Sequence, residues 1–110
     1  MSQSIEQYSV YWVDLNPTQG AEMNKTRPCV VISPIEMNEH LLTIIIAPIT
    51  SRGRDGYPTR VKVSVNEVEG WIVLDQIRAI DKTRLREKIE ILGTAEIVQV
   101  KKTIKEMLVD

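Results

Sequence analysis

Apolar and polar positions alternate in short blocks along most of the chain, and only near its end does the spacing become helical. Residues 8–15 (YSVYWVDL) are rich in aromatic and β-branched side chains, which predicts a strand. Turn chemistry at residues 16–20 (NPTQG) ends it, and a polar loop follows over 21–26. Pro28 restricts Arg27 to extended backbone, which predicts a strand over 29–33. Ser33-Pro34 interrupts, and 35–40 reads as a turn or short helical detour. Residues 41–47 are almost all apolar, the mark of a strand covered on both faces, with Pro48 closing it. A loop is expected over 49–58. Val61, Val63 and Val65 then alternate with Arg60, Lys62 and Ser64, a half-solvated antiparallel strand over 59–65.

Residues 67–70 read as a connector, 71–74 as a strand and 76–80 as its continuation beyond a polar break. Asp81 suits the N-cap of one helical turn over 81–84, and 88–92 forms a short strand. The helix is expected over 95–108, with Thr94 as N-cap and Glu96 facing the dipole. Ile97, Val100, Ile104, Met107 and Leu108 recur at spacings of three and four on one face. About six short strands, one helical turn and a terminal helix, with no strand–helix alternation, predict a mainly β fold. A small antiparallel SH3-like barrel with an added C-terminal α-helix fits best.

Composition narrows the picture. With 110 residues, 43% hydrophobic and 26% charged, the chain is expected to form a single domain over 1–110 around one core. Such a domain is only marginally stable alone, so dimerisation would add to it. One cysteine, Cys29, rules out an internal disulfide and suits a reducing, cytoplasmic setting; its apolar neighbours suit a small buried hydrophobe. No signal-peptide pattern opens the sequence, and no apolar run is long enough to span a bilayer.

The net charge of −1 and pI near 5.9 do not suggest a general nucleic-acid coat. The basic residues nevertheless cluster locally, at Arg52, Arg54, Arg60 and Arg78 and again at Lys82, Arg84, Arg86 and Lys88, and local patches matter more for RNA contact than net charge.

Several chemistries have no residues to carry them. His40 is the only histidine, so no Cys/His metal set and no two-histidine acid–base pair exists. Neither GxxxxGK[ST] nor GxGxxG occurs, and the carboxylates lack calcium-loop spacing. No cofactor and no metal is expected. What remains is a set of polar residues at strand ends and loops: Glu22, Arg27, Thr50, Ser51, Asp75, Gln76 and Arg78. Taken alone, each reads as an ordinary loop or strand-end residue.

The same residues carry a resemblance. Tyr11-Trp12-Val13-Asp14-Leu15-Asn16-Pro17-Thr18-Gln19-Gly20-Ala21-Glu22, followed by Thr26-Arg27-Pro28-Cys29-Val30-Val31-Ile32-Ser33, resembles the opening of MazF/PemK-type toxins, a D-x-x-P-x-x-G-x-E loop leading into an R-P strand. Ala47-Pro48-Ile49-Thr50-Ser51 is similar to that family's third-strand exit. Leu74-Asp75-Gln76-Ile77-Arg78-Ala79-Ile80-Asp81 is similar to its D-Q-x-R-x-[IV]-D segment. The three motifs occur in the family's order and spacing.

The resemblance implies a CcdB-like barrel, a homodimer, and the toxin role in a type II toxin–antitoxin system. The activity implied is metal-independent, sequence-preferring cleavage of single-stranded RNA, chiefly mRNA with rRNA and tRNA as further targets. The ribose 2′-hydroxyl attacks the adjacent phosphate and leaves 2′,3′-cyclic phosphate and 5′-hydroxyl ends. The partner implied is a cognate antitoxin whose acidic tail covers the RNA groove, in a hetero-oligomer that reaches operator DNA through the antitoxin.

Arg27 is then the phosphate-facing arginine, a planar multiple donor suited to a phosphorane. Thr50 contacts a non-bridging oxygen, with a hydroxyl-capped turn as its bland alternative. Glu22, Asp75 or Arg27 itself could be the general base; arginine's persistent protonation speaks against the last. Lys25, Ser51, Arg52, Arg54, Tyr57, Gln76 and Arg78 are candidate RNA contacts, the loop arginines for phosphates and Tyr57 for stacking. Ala21 and Val73 stand where the PemK/Kid branch has a histidine and an arginine, so a mechanism using those two cannot operate here. The competing reading is a non-enzymatic, gyrase-binding toxin of the CcdB kind. Its Trp-Gly-Ile ending is replaced here by Leu108-Val109-Asp110. A degenerate relative that only binds antitoxin is the third reading, opposed by the intact Glu22, Arg27 and Thr50 set.

Overall fold

The computed structural model describes residues 4–15, 26–52 and 58–109. The expected turn at 16–20, the loop at 21–25 and residues 53–57 lie outside them, and with them Glu22, Lys25, Arg54 and Tyr57. The chain forms one antiparallel sheet that curls into a half-barrel, with a helix near the C-terminus. Its strands are β1 (Ser9–Asp14), β2 (Thr26–Val31), β3 (Thr43–Thr50), β4 (Arg60–Val65), β5 (Val68–Val73), β6 (Arg78–Asp81) and β7 (Leu85–Ile91). A short helix α1 (Ile35–His40) joins β2 to β3, and α2 (Thr94–Ile104) follows β7. The order across the sheet is β4-β5-β3-β2-β1-β7, with β6 paired to the first half of β3.

Several expected boundaries move. β3 does not stop at Pro48 but runs through it to Thr50, with Pro48 opposite Cys29. On its other side β3 changes partner, from β6 (last pair Ile46↔Arg78) to β5 (first pair Ile49↔Ile72). A residue without an N–H costs the ladder least at such a junction. The expected connector over 67–70 is mostly strand. β4 and β5 meet in a two-residue turn, Asn66-Glu67, with Val65 opposite Val68. Both turn residues have positive φ, 51° and 65°, the geometry of a type I′ turn that matches strand twist. The segment 74–80 is broken by a 3-10 turn at Leu74–Gln76 before β6. Residues 82–84 do form one helical turn, of 3-10 type, with the Asp81 carboxylate accepting from the Thr83 N–H at 2.9 Å.

Residues two apart on a strand share a face, so the sheet sorts its apolar side chains into two groups. One face carries Val10, Val30, Ala47, Ile49, Val61, Val63, Ile72 and Leu74; α2 covers it with Val100, Ile97 and Ile104, and the turn after α2 adds Met107. The other carries Tyr11, Val13, Cys29, Val31, Ile44, Ile46 and Ile80. Leu108, expected on the buried helix face, is 67% exposed, because the last turn over Lys105–Val109 widens to a π-helix and shifts the register of that face. The N-cap of α2 is Gly93 rather than Thr94. Glu96 reaches back to accept from the Gly93 N–H at 3.0 Å, and its second oxygen accepts from the Ser64 N–H at 3.2 Å. One carboxylate thus closes the helix start and satisfies a donor on β4, an edge strand whose ladder lies only on the β5 side.

The Ser33-Pro34 break anchors α1 through a buried polar network. Ser33 Oγ donates to Asn38 Oδ1 and accepts from the Ile45 N–H. Asn38 Nδ2 donates to the Ile5 and Ser33 carbonyls at 2.8 and 3.0 Å. His40 ends α1 exposed, its Nδ1 donating to the Glu36 carbonyl at 2.7 Å. Among the described residues no helix is long and apolar enough to cross a membrane.

Candidate functional site

Arg27 sits near the start of β2, opposite Val13 of β1. The β2–β3 ladder pairs Val31 with Ile46, Val30 with Ala47 and Cys29 with Pro48. Continuing that register by two residues on each strand sets Arg27 level with Thr50, the last residue of β3. Adjacent strands lie about 4.8 Å apart, so the two backbones are neighbours. Arg27, Cys29 and Val31 alternate onto the face away from α2, as do Ile46, Pro48 and Thr50. Arg78 begins β6 opposite Ile46 and shares that face with Ile80.

Cys29 marks the convergence. It is fully buried, and burial pushes its thiol up to about 12 while the Arg78 and Arg27 guanidiniums pull the other way. Both cations therefore stand within electrostatic reach of one buried sulfur, and both are themselves exposed. A thiol held that far above neutrality is no nucleophile; Cys29 is packing, as its apolar neighbours predict. The sheet thus holds two guanidiniums and one hydroxyl on a single face, an arrangement suited to an anion.

Thr50 is partly buried at the point where β3 leaves the sheet. Its Oγ1 accepts from the Arg52 N–H at 3.1 Å and lies 3.4 Å from the Arg52 carbonyl oxygen. The hydroxyl-capped turn, the bland reading of this residue, is therefore present. It does not exhaust the group, since a hydroxyl has one hydrogen and two lone pairs and the 3.4 Å contact is long. Ser51 and Arg52 follow it, exposed.

Asp75 lies in the 3-10 turn and faces β4. Its Oδ1 accepts from Thr59 Oγ1 at 3.0 Å and lies 3.8 Å from Arg60 Nε. These contacts tie the turn to the start of β4. Gln76 ends the same turn, exposed. The structure thus brings together Arg27, Thr50 and Arg78 and sets Asp75 and Gln76 in the neighbouring turn. Among the described residues no group of three or more His, Cys, Asp or Glu could hold a metal ion.

Two residues beside Thr50 escape sequence reasoning. Trp71 pairs with Thr50 across β3 and β5, and Lys62 pairs with Trp71 across β5 and β4. Lys62 Nζ sits 5.9 Å from the Trp71 ring centroid. Read along the chain, each is an ordinary strand residue; only the pairing places them at the site.

The family model of PemK-like, MazF-like toxins of type II toxin–antitoxin systems matches residues 6–108. The chain is 36% identical over 100 residues to the endoribonuclease MazF of Staphylococcus saprophyticus, covering 86% of this chain and 83% of that one. It is 35% identical over 101 residues to the endoribonuclease MazF of Staphylococcus epidermidis, covering 87% and 84%. In fold it is similar to the crystal structure of MazF from Deinococcus radiodurans, with TM-score 0.81, 24% identity, and coverage of 99% and 100%. A MazE–MazF complex from the same organism gives TM-score 0.84 at 24% identity, covering 97% of each chain. The chain belongs to the PemK-like, MazF-like toxin family of type II toxin–antitoxin systems.

Proposed function

We propose that this chain is the toxin of a type II toxin–antitoxin pair and that it cuts single-stranded RNA as an endoribonuclease. The observation that carries the reading is the shared outward face of Arg27, Thr50 and Arg78, in a chain similar to enzymes named endoribonuclease. A phosphodiester entering that face meets charge and hydrogen-bond donors, and no residue there demands a metal.

The ribose 2′-hydroxyl loses its proton to a carboxylate and forms a bond to the adjacent phosphorus. The P–O5′ bond breaks, and the leaving oxygen takes a proton to become a 5′-hydroxyl. The other product keeps a 2′,3′-cyclic phosphate. Arg27 donates to the phosphorane oxygens, where charge accumulates, and stays cationic throughout. Thr50, with one lone pair engaged by the Arg52 N–H, turns its hydrogen from the Arg52 carbonyl to a non-bridging oxygen. Arg78 and Gln76 hold the flanking strand of RNA, with Ser51 and Arg52 at the exit of β3. Lys25, Arg54 and Tyr57 are assigned to the same RNA path on the resemblance alone. Asp75 is held by Thr59 and Arg60, so we favour Glu22 as the base.

The same reading makes residues 1–110 a single toxin domain that works as a homodimer in the cytoplasm. The partner is an antitoxin, as in the solved complex of a mycobacterial endoribonuclease with its cognate antitoxin. It would bind this toxin and carry the pair to operator DNA. The test is incubation of the purified chain with a long RNA in EDTA, followed by sequencing of the fragment ends. Cleavage with cyclic-phosphate and 5′-hydroxyl ends is expected; an absolute requirement for magnesium would overturn the reading.

A further inference from the structure

The row that begins at Arg27 does not end at Thr50. Thr50 is paired with Trp71 and Trp71 with Lys62, and directly opposed residues carry their side chains on one face. Arg27, Thr50, Trp71 and Lys62 therefore line up across β2, β3, β5 and β4. Burial sets Trp71 apart from its two immediate neighbours. Gly70 and Ile72 beside it are buried, whereas Trp71 is partly open and belongs to neither apolar cluster. Lys62, its side chain 53% exposed, holds its ammonium 5.9 Å from the ring centroid and 3.9 Å from the Glu69 carboxylate. Trp71 thus stands on the strand next to the one that carries the hydroxyl assigned to the phosphate, the two backbones about 4.8 Å apart.

We infer that Trp71 is a substrate-positioning platform on which a base flanking the scissile phosphate stacks, with Lys62 receiving the next phosphate along. The inference rests on the RNA-cleaving reading and deepens it. A partly open indole between a hydroxyl–guanidinium site and an ammonium matches the period of a nucleotide, where base and phosphate alternate. Stacking on a fixed ring is the usual way single-stranded RNA is held without pairing. The interaction is made in the ground state and kept in the transition state, so it governs KM more than kcat.

Trp71 can be read directly. Trp12, the other of the two tryptophans, pairs with Pro28, one residue out of step with Arg27, and so stands on the opposite face. In a Trp12→Phe chain Trp71 is the only indole. The probe is a short oligoribonucleotide spanning a cut site mapped with the wild-type chain, with a 2′-deoxy sugar at the cut nucleotide to block cleavage. Saturable quenching of Trp71 emission is expected, lost when one of the two bases flanking the scissile phosphate is made abasic. On cleavable RNA, Trp71→Ala is expected to raise KM about tenfold with kcat within about threefold, and Trp71→Tyr to recover most of the loss. Quenching that survives both abasic probes, or a Trp71→Ala KM within about twofold of wild type, would overturn the platform. If the wild-type chain cut no RNA at all, the nuclease reading itself would fall, and the platform with it.

Discussion

At the scale of single residues, the site is built over a buried thiol. Cys29 has no exposed surface, and its proton is held up to about 12 rather than the ordinary 9.0. The folded chain therefore binds this proton more tightly than the unfolded chain. The stability it contributes is complete below about pH 9 and is lost as pH climbs towards 12. Iodoacetamide at pH 8 should leave Cys29 unmodified in the native protein and alkylate it fully after denaturation, as read by mass spectrometry. Rapid alkylation of the native chain would show the sulfur to be accessible and the packing account wrong. The sequence makes Cys29 apolar in context, from its run of Val30, Val31 and Ile32. It cannot show that Arg27 and Arg78, far apart in the chain, both stand within electrostatic reach of that sulfur.

At the scale of elements, β3 and β5 hold Thr50 in place through a close approach that a side chain at Gly70 would crowd. A Cβ on Gly70 would lie 3.0 Å from both Ile49 Cγ2 and the Thr50 carbonyl oxygen, and a backbone oxygen cannot swing aside. Gly70→Ala should cost about 1–3 kcal/mol and lower RNA cleavage by displacing Thr50. Gly93→Ala, whose new atom meets only Glu96 Oε1 at 3.7 Å, should leave cleavage unchanged. Melting temperatures and initial rates on one RNA check both, and wild-type cleavage by Gly70→Ala would show that Thr50 tolerates the shift. Elements with strong local signals were legible from sequence: the alternating valines of β4, the Asp81-capped turn, the helical spacing of α2. Pro48 and the Asn66-Glu67 turn were not. Pro48 is accommodated where the partner strand changes, which is a property of the sheet, and an Asn-Glu pair lacks the glycine that usually marks a type I′ turn.

At the scale of the molecule, one curled sheet offers two faces with different work. The face under α2 is the larger apolar cluster, closed by Val100 at no exposure. The other supports Arg27, Thr50 and Arg78. Val100→Ala should destabilise the chain by about 2 kcal/mol and lower its urea midpoint, whereas Leu108→Ala, at a side chain 67% exposed, should shift it by no more than about 0.5 kcal/mol. Equal effects would mean that the last turn packs differently. Fold class followed from the pattern of short alternating blocks, because that pattern reports burial directly. The site did not, because Arg27 and Thr50 meet only through the β2–β3 register, and register depends on pairings between distant segments.

Cleavage by an Arg27 variant tests the central claim most directly. Arg27 is exposed at the start of β2, so its replacement should leave the melting temperature within a few degrees of wild type. With the fold intact, Arg27→Ala should lower the single-turnover rate on a mapped RNA by about 100-fold or more. Arg27→Lys should recover only a minor part, because one ammonium cannot reproduce a planar pair of donors. A folded Arg27→Ala chain that cuts RNA within a few-fold of the wild-type rate would contradict the account.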